Sequence, residues 1–257
     1  MIRGLYTSGW SMLALNKKMD VLANNLANSS TNGYKRDTVA MEGFPALLAK
    51  RLHDYTDGIA AGVPIGELSF SHDVGEVYTN FQQGGLIKTD QNLDFSIKDN
   101  GNAFFCVAVP SGDEYIEYYT RDGSFELNAD GRLITRQGYY VLGENGVITL
   151  GNDEVMLQKD GTIMRNGMVL DKLLIKQFEN PNTLRKSGEN LLSPTEQTTQ
   201  EEFSGQVLQS YLEQSNVEIV REMVDMISLM RSYEANQRVI TAIDSTLDKA
   251  VNEVGRV

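Results

Sequence analysis

The sequence predicts an α+β protein: N- and C-terminal heptad helices packing as a coiled coil, with a central antiparallel β-rich domain between them. Near the C-terminus, Met223, Met226, Met230, Tyr233, Gln237, Ile240, Asp244, Leu247, Val251 and Val254 alternate at three- and four-residue steps, the signature of a helix with one apolar seam. Near the N-terminus, Leu5, Met12, Met19 and Leu26 sit seven apart, with Met1, Leu15 and Leu22 interleaved. Between the two seams the period changes, and Asp-Gly or Asn-Gly pairs recur at residues 122–123, 130–131, 145–146, 160–161 and 166–167, which are strong short-range hairpin signals.

The first element is a helix over 3–28, within an N-terminal segment bounded at 1–33. No proline precedes Pro45, and the helix runs out at Asn28-Ser29-Ser30-Thr31-Asn32-Gly33, where short polar side chains compete for backbone hydrogen bonds and Gly33 permits a positive φ. Residues 34–91 form an extended connection with short strands. Phe44-Pro45-Ala46-Leu47-Leu48 is compatible with the start of a short helix, Gly58, Gly62, Pro64 and Gly66 mark a flexible stretch, and Val74, Val77, Tyr78 and Phe81 suggest strand pieces.

The β-rich domain is expected at 92–203. Its strand-like runs are Phe104–Val109, Tyr115–Thr120, Leu133–Thr135, Tyr139–Leu142, Val147–Leu150 and Leu173–Phe178, with an irregular return over 179–203. Residues 92–178 are expected to fold alone, with both termini mobile in a free subunit. The C-terminal segment is 204–257, and its helix has a capping-box pattern at Ser215 and Glu218 and a stop at Gly255. A helix of roughly 40 residues runs about 60 Å, too long for one small β-domain to cover. Its stripe needs the first helix, neighbouring copies, or both.

Composition restricts the function. The 257 residues carry 35 acidic and 23 basic side chains, a net charge of −12, which argues against nucleic acid as the partner because phosphate binding needs clustered Lys and Arg. The longest apolar run, Ala103 to Val109, is too short to span a bilayer, and Asn16, Lys17, Lys18 and Asp20 interrupt any signal-peptide core. Cys106, the sole cysteine, lies among Phe104, Phe105 and Val107 and reads as a buried, inert thiol.

Catalysis has little to work with. The only histidines, His53 and His72, fall in the glycine-rich connection, and no nucleophile elbow, zinc helix or phosphate-cradling loop is present. Asp99, Asp122 and Asp130 are each explained by turn composition. The expectation is therefore a protein that is not an enzyme, with no cofactor and no metal.

The candidate interface residues lie on the helices: Leu5, Met12, Met19, Leu22, Asn24, Asn25, Leu26 and Asn28 at one end, and Met223, Met226, Met230, Tyr233, Ile240 and Leu247 at the other. The methionines suit either a plain core or a surface that packs in several slightly different environments. Asn24 and Asn25 lie inside the helix, where amides are poor choices unless they bond to something and so help fix register.

Particular strings carry a resemblance. Ala23-Asn24-Asn25-Leu26-Ala27-Asn28 followed by Thr31-Asn32-Gly33-Tyr34-Lys35 resembles the N-terminal signature of bacterial flagellar rod and hook proteins. Tyr211-Leu212-Glu213-Gln214-Ser215-Asn216-Val217, then Glu222-Met223-Val224 and Arg231-Ser232-Tyr233-Glu234-Ala235-Asn236, is similar to that family's C-terminal signature. Asn92-Leu93-Asp94-Phe95-Ser96-Ile97, Gly101-Asn102-Ala103-Phe104-Phe105 and Tyr119-Thr120-Arg121-Asp122-Gly123-Ser124-Phe125 are similar to its β-domain.

The resemblance is to the FlgF/FlgG group, with the opening six residues closer to the distal type. It implies a structural subunit of the basal-body rod, distal or proximal, that polymerises through its terminal helices into a tube. Implied partners are other copies of itself, adjacent rod and hook axial subunits, the flagellar type III export apparatus and surrounding basal-body ring proteins, with no nucleic acid and no direct membrane span. The implied location is the flagellar basal body, across the periplasm or cell wall, after export without a cleaved signal peptide. The competing reading is a non-flagellar secreted coiled-coil adaptor or effector that binds a partner protein through the same helices.

Overall fold

The computed structural model describes the chain outside residues 1, 44–46, 52–54, 57–58, 61–62, 69–71, 112–113, 152–154 and 255–257, and side chains outside 1–3, 44–73, 111–114, 152–154 and 254–257. The architecture is α+β: helix α1 spans Ile2–Ala27, helix α2 spans Ile219–Lys249 with a π-helical end at Ala250–Val254, and the segments between them are strands and turns. The chain forms two compact units. One holds residues 1–24, 37–78 and 220–257, and the other holds 25–36 and 79–219.

The second unit is built on the strand Ala103–Ser111, which is paired along both edges. Glu114–Thr120 lies on one side, and Tyr140–Gly143 and Ile175–Phe178 share the other. A strand in that position has both faces covered, which explains why its sequence is a continuous apolar run instead of an alternating one. Ala103, Phe105 and Val107 point into one cluster with Phe95, Phe125, Leu133, Ile148 and Ile163. Phe104 and Cys106 point into another with Phe81, Tyr119, Phe178, Leu184 and Leu192. Cys106 is buried as expected, and burial pushes its thiol well above the usual range, so little thiolate is present to react.

Among the described residues these strands belong to a ten-stranded sheet whose pairings are antiparallel, and the turn chemistry accounts for several of them. At Asn166-Gly167 both residues have positive φ (52° and 80°) between the paired residues Arg165 and Met168, the primed two-residue turn that matches strand twist. Asp122-Gly123 is a different case. It forms no hairpin: Gly123 lies against Phe95, whose N–H donates to the Gly123 carbonyl, and a Cβ at Gly123 would overlap the Phe95 carbonyl oxygen.

Two further corrections concern boundaries. Residues 204–218, expected to belong to the C-terminal helical segment, hold the strands Gln206–Gln209 and Tyr211–Glu213, which pair with Phe95–Lys98 and Leu86–Lys88. The helix starts at Ile219, and the Ser215 hydroxyl accepts from the Val217 N–H at 3.3 Å, a local turn ahead of the helix. Residues 92–178 are consequently not self-contained, because among the described residues the strand partner of Phe95–Lys98 is Gln206–Gln209.

In the first unit, Asp37–Gly43 pairs with His72–Thr79, and Leu47–Arg51 pairs with Val63–Leu68. Leu47 and Leu48 are therefore in a strand, not the short helix their composition allowed. Phe44, Pro45, Ala46 and the side chains of His53 and His72 lie outside the described residues. No helix among the described residues is long and apolar enough to cross a membrane.

Replacing Gly123 by Ala should destabilise the protein by about 3 kcal/mol or more, because the obstruction is backbone that cannot rotate away. Urea unfolding of the purified variant measures this, and a loss below about 1 kcal/mol would show that the Phe95 strand gives way.

Candidate functional site: helix faces and a buried charge clasp

Each terminal helix has one covered stripe. On α2, Glu222, Met226, Leu229, Tyr233, Asn236, Ile240, Ile243 and Leu247 are buried or half-buried, and every other residue of Ile219–Lys249 is exposed. These positions step by four and three, so the heptad periodicity is present, but one of its two series is displaced by a residue from the expected one. Met226, Tyr233, Ile240 and Leu247 lie on the covered stripe. Met223 and Met230 do not, being 47% and 53% exposed. The covered series Glu222, Leu229, Asn236 and Ile243 and the expected series Met223, Met230, Gln237 and Asp244 each hold two apolar and two polar residues, so hydropathy does not distinguish them.

On α1 the less exposed positions include Leu5, Met12, Met19, Leu22, Asn25 and Leu26, whereas Asn24 is exposed. Asn25 is fully buried and accepts a hydrogen bond from the Tyr34 hydroxyl at 3.3 Å, which gives the mid-helix amide its partner. Asn28, beyond the helix, accepts from the Thr31 hydroxyl. Within the first unit the two helices touch at Gly4, where a Cβ would sit 3.1 Å from Cδ1 of Ile243. Glu222 in the first turn of α2 and Lys249 in the last complement the helix dipole.

Both helices also leave apolar side chains exposed. Ile219, Val220, Met223, Val224, Ile227 and Met230 are each more than 40% exposed and recur at helical spacing. On α1, Tyr6, Trp10 and Leu13 are likewise exposed at helical spacing.

The second unit contains a feature not anticipated from the sequence. Lys35, Asp99, Arg121 and Glu213 meet in a buried ionic network, with side chains only 1–7% exposed. Glu213 bridges the two cations. Its Oε1 accepts from Lys35 Nζ at 2.6 Å and its Oε2 from Arg121 Nε at 2.7 Å. Arg121 also pairs with Asp99 and donates to the Ala103 carbonyl. Asp99 accepts the amides of Gly101, Asn102 and Ala103 at 2.7–2.9 Å, and Glu213 accepts the Gly84 amide at 2.9 Å. Lys35 finishes on the Gln82 carbonyl at 2.8 Å.

Close backbone approach surrounds the network. Gly33 has φ 65° and lies on the peptide between Arg121 and Asp122, with no room for a side chain. The Gly33 N–H donates to the Glu213 carbonyl at 2.7 Å. Asn216 completes the junction, its Oδ1 accepting from the Arg36 amide at 2.8 Å while its Nδ2 donates to the Asn80 and Gln82 carbonyls. Lys186 donates to the Lys35 carbonyl at 2.6 Å and sits over the Tyr34 ring at 4.3 Å.

Burial alone would push the Asp99 carboxyl up. The Arg121 guanidinium and the Gly101 and Ala103 amides together outweigh it and hold it below the usual carboxylate range. Burial is also the largest effect on Lys35 and takes its ammonium below its ordinary value despite Glu213. On Arg121 the two carboxylates outweigh burial and strengthen its charge. Asp122 goes the other way from Asp99, pushed up by burial although Ser124 donates to it twice. No group of metal-binding side chains occurs among the described residues. The arrangement holds chain segments together and offers no reacting group.

Three of the four clasp residues stand inside the resemblance strings, but a charged letter in a motif does not disclose its partner. Asp99 reads as a turn residue and does cap a turn, which masks its second role.

Family comparisons match the same regions. The flagella basal body rod protein family matches residues 5–35, the flagellar hook protein FlgE/F/G D1 domain matches 100–169, and the flagellar basal body rod FlgEFG protein C-terminal family matches 208–253. The chain is 33% identical to the flagellar basal-body rod protein FlgG of Buchnera aphidicola subsp. Baizongia pistaciae, over 97% of this chain and 98% of that one. It is 31% identical to the flagellar basal-body rod protein FlgF of Caulobacter vibrioides over the full length of both. It is 28% identical to the flagellar hook-basal body complex protein FlhO of Bacillus subtilis, again over the full length of both.

Removing one partner from a buried pair leaves an uncompensated charge, so Glu213→Ala should cost about 3–5 kcal/mol in urea unfolding. Asp99 has a depressed folded pKa, so the stability it adds is present above its unfolded value of about 4 and lost as pH falls through the folded one. The stability gap between wild type and Asp99→Asn should therefore be wide at neutral pH and close in strong acid. A gap independent of pH would show that Asp99 is not held ionised by the clasp.

Proposed function

The chain belongs to the flagellar rod and hook protein family as a basal-body rod protein of the FlgF/FlgG type, a structural subunit and not an enzyme, and from that premise we propose that its two terminal helices pair as a coiled coil and then bury their remaining apolar stripes against neighbouring subunits. The observation that carries the reading is the second stripe of α2: Val220, Met223, Val224, Ile227 and Met230 stay exposed beside a seam that is already covered. Tyr6, Trp10 and Leu13 give α1 a comparable outward stripe.

Assembly with other rod or hook subunits in the basal body follows from the family. The finer reading assigns the covered positions Leu5, Met12, Met19, Leu22, Met226, Tyr233, Ile240 and Leu247 to the pairing of the two helices. It assigns Met223, Met230 and the exposed Asn24 to contacts between subunits. Deformable methionines suit this second role, since a neighbour in a helical tube meets them in slightly different settings. Export through the flagellar type III apparatus without a cleaved signal, a position spanning the periplasm or cell wall, and contact with surrounding ring proteins complete the proposal.

The paired variant Met223→Asp/Met230→Asp separates the two roles. Fully burying one such side chain contributes roughly 1.5–3 kcal/mol, so two charges there should abolish polymer seen by electron microscopy, and motility with it. Because both sites are exposed, monomer stability should change by no more than about 0.5 kcal/mol. Leu229→Asp, on the covered stripe, should instead lower helix content in the monomer. Normal rods from the paired variant, or a discrete complex with one unrelated protein in place of polymer, would sink the proposal.

A further inference from the structure

We infer that residues 206–216 act as a closing strap, so that the second unit remains open until the chain as far as Glu213 and Asn216 is available, and then captures the N-terminal segment 33–36 in the same step. Three independent features of the unit point this way.

The first is charge balance. The clasp contains two cations and two carboxylates. Without Glu213, Arg121 and Lys35 share only Asp99 in a site closed to water, and a net positive charge is left buried. An open state in which both cations stay hydrated is then favoured. The second is strand pairing. Among the described residues, Phe95–Lys98 and Leu86–Lys88 have the strap as their only strand partner. Gly84 lies so close to the Gln214 carbonyl that a Cβ there would overlap it, so this edge is shaped to receive the strap.

The third is separation along the chain. Glu213 is 92 residues from Arg121 and 178 from Lys35, and Asn216 is 180 from Arg36. The hairpins of 125–147 and 155–172 close over a few residues each. Local closures lose little chain entropy and form early, whereas the strap can close only once distant segments meet. A chain that becomes available from its N-terminus, by synthesis or by translocation, thus holds this unit open until all but its last helix has appeared.

The test is pulse-labelled hydrogen exchange during refolding of the full-length protein from denaturant. Amides of 206–216, 86–98 and 33–36 should gain protection together, roughly tenfold or more later than those of 125–147 and 155–172. Protection of 206–216 before or with the hairpins would overturn the inference. The charge argument is tested separately at equilibrium. In Glu213→Gln, exchange protection at 33–36, 86–98 and 120–124 should fall by roughly tenfold or more, and Lys35→Met in the same chain should restore most of it by removing the surplus cation. If Glu213→Gln unfolds outright, recovery on adding Lys35→Met carries the same conclusion. Loss confined to 211–216, or no recovery with Lys35→Met, would overturn it.

Discussion

Two cations taken out of water beside two carboxylates set the terms for the second unit of this protein. Arg121 is nearly inaccessible, and a guanidinium in that position is tolerable only if its donors are matched by fixed acceptors. Asp99, Glu213 and the Ala103 carbonyl provide them, and they come from two separate stretches of the chain, both distant from Arg121. The network thereby specifies which segments must lie together more strongly than apolar burial could, since an alternative packing would strand a charge.

That requirement shapes the backbone around it. Gly33, Gly84 and Gly123 are positions where one chain segment lies directly on another, and a side chain at any of them would separate segments that the clasp needs in contact. Lys35 follows α1 at a short distance, and Glu213 and Asn216 precede α2. The network therefore anchors the backbone that leads out of the first helix and into the second.

The helices themselves follow a different logic. Their covered stripes include polar residues, Asn25 on α1 and Glu222 and Asn236 on α2. Beside them, Val220, Met223, Val224, Ile227 and Met230 on α2 and Tyr6, Trp10 and Leu13 on α1 stay exposed.

Much of this was legible from residues alone. Heptad spacing located both helices, Asn-Gly and Asp-Gly pairs marked most hairpins, and the run Ala103–Val109 marked the most buried strand, because each of these signals arises from interactions within a few residues. The family signatures were legible too, as strings. The sequence could not show which of two adjacent heptad series on α2 is covered, since Met223 and Met230 are as apolar as a seam requires and only the geometry of packing turns them outward. Nor could it show that residues 206–213 are strands, because a strand of three or four residues is defined by its partner. Lys35, Asp99, Arg121 and Glu213 were visible as letters, but their pairing spans up to 178 residues, and charge complementarity at that distance exists only once the chain has folded. Local periodicity and turn chemistry belong to the sequence; register, outward face and long-range charge pairing belong to the tertiary structure, because they are set by neighbours that the sequence places far away.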